Sequence, residues 1–158
     1  RIVSIVMKEN QRLKKLLKDH FNGEPWIDVV ILTSLSGLKA KDAVKNIHGL
    51  NSIWQIVNHM SCWRETLLRR VEGERIPSPA DNYFFEITDP SAAAWNAAIK
   101  RLKASQKDLL AFLSKEMADP DNISACSNYS QYELLQAVLQ HDAYHLGQIV
   151  LIRKMLGV

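Results

Sequence analysis

Residues 130–157 read SQYELLQAVLQHDAYHLGQIVLIRKMLG and contain the clearest helical pattern of the chain. Ser130 and Glu133 have the spacing of a capping box, in which the serine accepts from a backbone N–H and the glutamate reaches back. Gly157 suits the left-handed conformation that often ends a helix. Between these ends, apolar side chains recur at helical spacing on one face: Leu134, Val138, Ile149 and Ile152. The stretch is predicted to be an amphipathic helix with one buried face.

Two earlier segments show the same periodicity. The first covers about residues 2–21 and ends at Gly23. The second opens at Ser52 with another capping box, completed by Gln55, and continues to Gly73. Both segments are predicted to be long amphipathic helices.

A further helix is predicted near the middle of the chain. Thr88 or Asp89 can serve as its N-cap, and Pro90 fits the first turn, where its missing N–H would have no partner in any case. Its apolar stripe extends from Trp95 to Met117. Together with the other three segments, this helix makes an all-α bundle the predicted fold.

The connections between the four helices differ in length. Residues 22–51 are expected to hold short helical turns near residues 27–35 and 41–46. Residues 73–88, by contrast, contain two prolines and should be irregular. This second connection is longer than a tight helix–helix turn requires. It is long enough to span a helix, so the second and third helices can run parallel through a crossover.

Composition favours one ordinary globular domain. The chain has 158 residues, of which 47% are hydrophobic and 23% charged, so we expect a single domain over residues 1–158. The formal net charge of +3 is too small to indicate nucleic acid or an anionic membrane as a partner. No apolar run approaches the length that spans a bilayer. Cys62 and Cys126 lie far apart and form no Cys-x-x-Cys motif, which favours a reducing cytoplasm over a disulfide-forming compartment.

His141 and His145 are four residues apart, so their imidazoles project from the same face of the last helix, one turn apart. The apolar residues of that helix lie on the same face, which directs both rings toward the core. Unpaired polar groups are costly there. The two rings are therefore either interior histidines that hydrogen-bond to neighbouring helices or metal ligands that need a third group.

His59 is the best candidate for that third ligand, because it lies on the second helix among apolar residues. Three neutral imidazoles would hold a divalent transition ion at about 2.0–2.1 Å per nitrogen and leave positions for water or substrate. Taken singly, His59 is also explained as a core histidine. If the three rings bind an ion, metal affinity should drop as the pH falls below about 6.

A di-iron centre is the obvious rival, but it needs Glu-x-x-His pairs, and no histidine of this chain has glutamate three residues before it. Asp142 does precede His145 with that spacing. It is turned about 100° from His141 around the helix, so we expect it to face solvent or a neighbouring loop. A ferritin-like oxidase is disfavoured.

Other residues near these histidines have a structural and a functional interpretation. Cys62 is explained better as a small buried residue than as a ligand or reactive thiol. Tyr144 and Gln148 could orient a ligand imidazole or simply pack at helix contacts. Gly147 suggests close approach of another helix or a ligand. The aromatic run at residues 83–85 is expected to cap the bundle core rather than line a pocket mouth or a dimer surface.

Three stretches closely resemble the DinB-like superfamily, in particular its YfiT-like branch. They are HDAYHLGQI at 141–149, SIWQIVNH at 52–59 and RRVEGE at 69–74, and the similarity spans nearly the whole chain. The chain departs from the resemblance at Asn51, where relatives carry histidine before the Ser-Ile-Trp cap.

The resemblance implies an up-down-down-up four-helix bundle and a homodimer. It also implies a divalent metal, zinc or nickel, held by the residues that match the family's ligands: His59, His141 and His145. Members of the superfamily transfer low-molecular-weight thiols to electrophiles in a metal-dependent reaction, and a related isomerase uses mycothiol. Hydrolase activity is also associated with the superfamily.

The function expected from these arguments is a cytoplasmic, metal-dependent thiol transferase. Its partners would be a small-molecule thiol and an electrophilic substrate, with no nucleic acid and no membrane. A bound metal stabilises a thiolate, which is the nucleophilic form of a thiol. A metal-dependent hydrolase and a non-catalytic dimeric binding protein are the alternatives, since the same ligands serve all three.

Overall fold

Six helices make up the fold in the computed structural model, which describes residues 8–115, 119–125 and 127–158. In chain order they are α1 (Glu9–Asn22), α2 (Ile31–Leu35), α3 (Ala40–Ala43), α4 (Ile53–Val71), α5 (Ala92–Phe112) and α6 (Gln131–Leu156). Within these described ranges there is no strand, only an isolated antiparallel bridge between Ile123 and Ser130. The predicted all-α class is confirmed.

Local capping sets where α4 and α6 begin, as the sequence predicts. The Ser52 hydroxyl accepts from the Gln55 backbone N–H at 3.2 Å, and the Gln55 side chain accepts from the Ser52 N–H at 2.9 Å. Ser130 and Glu133 make the same reciprocal pair at the start of α6. The left-handed conformation of Gly157 ends that helix, with φ of 70°.

The third long helix begins later than predicted. Its N-cap is Ser91, whose hydroxyl accepts from the Ala94 backbone N–H at 3.1 Å, so the prediction of Thr88 or Asp89 as the cap is wrong. Asp89 instead accepts from the Ser91 N–H at 3.0 Å, because a short carboxylate two residues before the cap forms its own local turn. Pro90 precedes the helix rather than opening it.

The predicted ends of two helices fall partly outside the described residues. Residues 2–7 of the predicted first helix lie outside the described residues, and α1 begins at Glu9, because Lys8 has an extended backbone. Met117, at the end of the predicted apolar stripe of the third helix, also lies outside. The short turns expected in residues 22–51 are present as α2 and α3.

Long-range hydrogen bonds give the directions of α1 and α5. The Asn10 amide donates to the Leu113 carbonyl at 3.1 Å, and the Gln106 amide donates to the Leu17 carbonyl at 3.1 Å. A later residue of α1 therefore contacts an earlier residue of the α5 segment, so the two helices run in opposite directions.

Contacts of α4 give the other two directions. Trp54 packs on Trp95 with ring centroids 5.2 Å apart, and Arg101 pairs with Glu65 farther along both helices, so α4 and α5 run in the same direction. The Gln131 amide at the start of α6 donates to the carbonyl of Val71 at the end of α4, so these two helices run in opposite directions. Residues 72–91 connect the parallel pair.

A polar layer divides the apolar interior into two clusters. One cluster gathers residues of α2, α3 and the adjoining parts of α4, α5 and α6, and the other joins residues of α1 to the remaining parts of the long helices. Arg64 and Asp142 lie between them and are 1% and 0% exposed. The expectation that Asp142 faces solvent or a loop is wrong, because α1 and α4 both pack on α6 and so bury a wider arc of it.

Bilayer crossing needs a long and strongly apolar helix, and none occurs among the described residues.

Candidate metal centre

The three predicted ligands come from two antiparallel helices. His59 lies on α4, and its side chain is directed inward because the capped helix turns its apolar face toward α6. His141 and His145 follow each other by one turn on α6. His59 and His145 are buried, at 2% and 4% exposure, and His141 is half-buried. The structure therefore places all three rings at one point of the interior.

The Nε2 atoms of these rings converge. His59 Nε2 lies 2.8 Å from His141 Nε2, and His145 Nε2 lies 3.1 Å from the same atom. The ligand atoms of the three histidines all lie within 4.8 Å of one another, which is close enough to hold one metal ion.

Hydrogen bonds on the far side of two rings determine which nitrogen carries the proton. His59 Nδ1 donates to the Asn82 carbonyl at 2.6 Å, and His145 Nδ1 donates to Gln148 Oε1 at 2.7 Å. In the neutral rings, both Nε2 atoms therefore present lone pairs toward His141. A single proton on His141 Nε2 can satisfy only one of them, which leaves the other contact between two lone pairs.

A divalent ion fits this donor set. Three neutral imidazoles are a typical ligand set, and acceptors behind two of them, His59 and His145, orient those rings. Tetrahedral ligation at about 2.0–2.1 Å separates the nitrogens by about 3.3 Å, so small ring rotations from the observed contacts are sufficient. Zinc and nickel both suit such a set.

Burial keeps the three rings neutral. It lowers the pKa of His59 to about 4, although the Asn82 carbonyl acts in the opposite direction. Burial and the two neighbouring imidazoles lower the pKa of His141 to about 3. The pKa of His145 is also lowered by burial, against the effect of its bond to Gln148. The neutral form is the one that binds a metal.

Residues of the connection before α5 form one wall of the site. Phe84 stacks on the His59 ring with centroids 3.9 Å apart and 10° between the planes. Asn82 contributes its carbonyl to His59 and its side-chain oxygen to Trp63 Nε1, at 2.9 Å. Asn82 and Tyr83 both have left-handed backbones, with φ of 51° and 60°, which turns the chain back onto α4.

The sequence predicts these roles only in part. The aromatic run at 83–85 is expected to cap the bundle core, and Phe84 does pack against the core cluster, but it also stacks on His59, and Phe85 is exposed. The role of Asn82 is not predicted, although asparagine is the residue type that adopts a left-handed turn most readily after glycine. That preference is the signal that the sequence offered.

A cavity of about 550 Å³ opens onto the three histidines. Trp63 and Phe84 line it on the α4 side, and Tyr144 and Gln148 line it on the α6 side. Tyr144 is 65% exposed and so lies at the mouth of the cavity, whereas Gln148 is half-buried behind His145. The site is therefore open to a small molecule on one side.

The remaining candidates lie elsewhere. Cys62 is buried and does not belong to the cluster, and burial raises the pKa of its thiol, which agrees with a structural role. A Cβ at Gly147 would meet no atom of the described residues within 4 Å, so none of the six described helices requires that glycine. His20 and His48 lie outside the cluster.

Comparisons with known proteins give one match, to a family model. A family model described as the DinB superfamily matches residues 30–149, which include all three histidines. Searches of curated proteins and of solved structures each found no significant match.

Proposed function

The chain belongs to the DinB superfamily, and from this membership we propose that it is a metal-dependent transferase that moves a low-molecular-weight thiol onto an electrophile. His59, His141 and His145 would hold a divalent ion, zinc or nickel. The observation that carries the proposal is the convergence of the three Nε2 atoms within 2.8 and 3.1 Å, with the Nδ1 protons of two rings engaged on the opposite side.

The residues around the site suit a reaction at one open face. A bound divalent ion stabilises a thiolate and so lowers the pKa of the thiol that approaches it. Phe84 covers the His59 ring and excludes water on that side, while the cavity admits the thiol and the electrophile from the other. The Tyr144 hydroxyl at the mouth can hydrogen-bond the electrophile. The sulfur–carbon bond forms as the bond to the leaving group breaks, and the thiol proton departs with that group.

We further propose a single-domain, up-down-down-up four-helix bundle of the YfiT-like branch, located in the cytoplasm. The helix directions support the topology, since α1 opposes α5, α4 parallels α5, and α6 opposes α4. The branch rests on the motif at residues 141–149, and the cytoplasm on the cysteine usage.

A homodimer through α6 is part of the proposal. Tyr144, Leu151 and Met155 are 65%, 55% and 45% exposed, and their spacing places them on one side of that helix with Gly147. The absence of any atom near a Cβ at Gly147 leaves room for a partner helix. Leu151→Glu should convert the dimer to a monomer in sedimentation, whereas a wild type that is monomeric at all concentrations contradicts this interface.

Metal content tests the site directly. Protein purified without a histidine tag and reconstituted with zinc or nickel should hold close to one equivalent, and His59→Ala should hold almost none. His48→Ala, which alters an exposed histidine outside the cluster, is the matched control and should bind normally. Less than about 0.2 equivalents in the wild type contradicts the proposal.

Turnover then separates the reaction classes. The metal-loaded protein should consume an electrophile such as 1-chloro-2,4-dinitrobenzene only when a thiol is present, and His141→Ala should abolish this activity. Consumption without any thiol indicates the hydrolase. Full metal occupancy with no turnover of either kind indicates the binding protein.

A further inference from the structure

A second cavity, of about 640 Å³, adjoins the histidine site. Leu67 of α4 and Ala137 of α6 line both cavities, so the two spaces share a boundary between these helices. The second cavity is rich in hydrogen-bonding side chains. They include Ser78, Ser127, Tyr129, Gln136 and Gln140. A small polar molecule could extend from one space into the other.

Arg70 lines this second cavity and is only 9% exposed. Its Nε and Nη2 donate to the Ile76 carbonyl at 2.9 and 2.6 Å, and Nη2 also donates to the Ser78 hydroxyl at 3.2 Å. Its Nη1 has no acceptor among the residues that the structure describes. The guanidinium is thereby fixed on one edge and can still donate from the other.

The charge of Arg70 is not neutralised by a carboxylate within the described ranges, unlike that of other arginines on or beside α4. Arg64 pairs with Asp142, and Arg69 pairs with Glu74. Glu133 also lines the cavity, but its carboxylate accepts from the Ser130 N–H at 2.7 Å in the capping box. A largely buried guanidinium whose Nη1 donors are unused favours an anionic ligand, and a carboxylate oxygen can accept from them.

The guanidinium lies close to the histidines as well. It stands over the Trp63 ring, 5.4 Å from its centroid, and that centroid is 6.5 Å from the centroid of the His59 ring. Arg70 is therefore no farther from His59 than these two distances together. A small molecule with a few bonds between its reacting atom and a carboxylate can reach both groups.

We propose that Arg70 is a specificity-determining residue that binds a carboxylate of the thiol substrate, so that the substrate class is a carboxylated thiol with a short spacer between sulfur and carboxylate. The inference rests on the proposed function for the sulfur end of the molecule. The part of the proposal that concerns Arg70 is supported by the second cavity, by the burial of the guanidinium and by its lack of an acidic partner among the described residues.

Matched ligands test this assignment. Cobalt-loaded protein is titrated with 6-mercaptohexanoate and with 6-mercaptohexanol, and binding is followed by the thiolate-to-cobalt absorption band. The acid should bind at least about tenfold more tightly than the alcohol, because one terminal group accepts charge-assisted hydrogen bonds from arginine and the other does not. Equal affinities of the wild type for the two thiols overturn the proposal.

Variants of adjacent arginines assign the effect to one side chain. Arg70→Gln should reduce the preference for the acid to less than about threefold, and Arg70→Lys should retain part of it, because the charge remains without the planar fork. Arg69→Gln is the matched control: this arginine is exposed, lies one position earlier and should keep the wild-type preference. An unchanged preference in Arg70→Gln overturns the assignment. If Arg70→Gln does not fold, the Arg70→Lys titration decides, and a full wild-type preference there overturns the assignment to the Arg70 guanidinium.

A failure of the proposed function gives a different result from a failure of the Arg70 assignment. If neither thiol produces the absorption band, the thiol end of the proposal is wrong. Hexanoate and hexanol, which have no sulfur, then test Arg70 alone. Hexanoate should raise the thermal unfolding midpoint of the wild type by more than hexanol does, and Arg70→Gln should remove the difference. Equal shifts in the wild type overturn the carboxylate site.

Discussion

His59 and His145 each donate an Nδ1 proton to an oxygen atom that can only accept, the Asn82 carbonyl in one case and Gln148 Oε1 in the other. These bonds do more than orient the rings. They leave Nε2 as the unprotonated nitrogen of each ring, so the tautomer required for ligation is present before any ion arrives.

Removing one of these acceptors should weaken metal binding. We expect Gln148→Leu to reduce metal affinity about 10- to 100-fold, because His145 loses the bond that holds its tautomer and orientation. Competition with a metallochromic chelator measures the change. Gln11→Leu, on α1, makes the same chemical change outside the site and should leave the affinity unaltered. A wild-type affinity in Gln148→Leu would show that the bond has no such role.

The lowered pKa values change the expected pH dependence. From ordinary imidazole values, metal affinity should drop below about pH 6. With the pKa of His59 at about 4 and that of His141 at about 3, protons compete with the ion only in more acidic solution. The apparent dissociation constant should be nearly constant from about pH 8 to about pH 5 and rise steeply below that. A tenfold loss of affinity already at about pH 6.5 would contradict the effect of burial on these rings.

At the scale of the elements, two capping boxes begin the helices that carry the ligands. Ser52 begins α4 about two turns before His59, and Ser130 begins α6 about three turns before His141. In each box a side chain satisfies a backbone N–H that the first turn leaves without a partner. The start of each helix is thus determined locally, within four residues.

Loss of a cap should destabilise the protein without altering the site. Ser130→Ala should lower the free energy of unfolding by about 1 kcal/mol, because the Glu133 backbone N–H loses its acceptor. Urea denaturation measures this change, and metal stoichiometry should stay that of the wild type. Ser127→Ala, just before the helix and outside the box, should have a smaller effect. A change below about 0.3 kcal/mol for Ser130→Ala would show that this cap does not stabilise α6.

At the scale of the whole molecule, one buried ion pair links the helices behind the histidines. Arg64 Nε and Nη2 both donate to Asp142 Oδ2, at 2.9 and 2.6 Å, and the guanidinium also packs 4.9 Å from the centroid of the Phe21 ring. α1, α4 and α6 therefore meet at this pair. Asp142 lies between the two histidines of α6 in sequence, so the pair also fixes the rotation of α6 that directs them inward.

Breaking this pair should be more harmful than replacing it. Asp142→Ala should lower the free energy of unfolding by about 3–5 kcal/mol, because Arg64 is left buried without a counter-charge. The double variant Arg64→Met with Asp142→Leu should recover much of that loss, since apolar groups need no partner.

Urea denaturation of the wild type, of Arg64→Met and Asp142→Leu singly, and of the double variant gives the coupling energy between these residues. The exposed pair of Glu65 with Arg101 is the control, and Glu65→Gln should change stability by less than about 1 kcal/mol. If Asp142→Ala is no more harmful than Glu65→Gln, the pair does not hold the three helices together.

Local chemistry determined those features that the sequence by itself predicted. The starts of α4 and α6, the end at Gly157 and the common face of His141 and His145 all depend on residues within one or two turns of each other. The same reasoning gave the all-α class. It failed at the start of α5, where Thr88, Asp89 and Ser91 are all capping residue types; Ser91 caps the helix, and Asp89 accepts from the Ser91 N–H instead.

Tertiary structure alone decided the features that depend on contacts between distant residues. The stacking of Phe84 on His59, the burial of Asp142 against Arg64 and the position of Arg70 beside Trp63 each join side chains that no periodicity relates. A helical pattern shows which face of one helix is buried. The pattern does not show how many neighbouring helices cover that face, or which loop folds back over it. Those contacts are fixed only when the helices pack together.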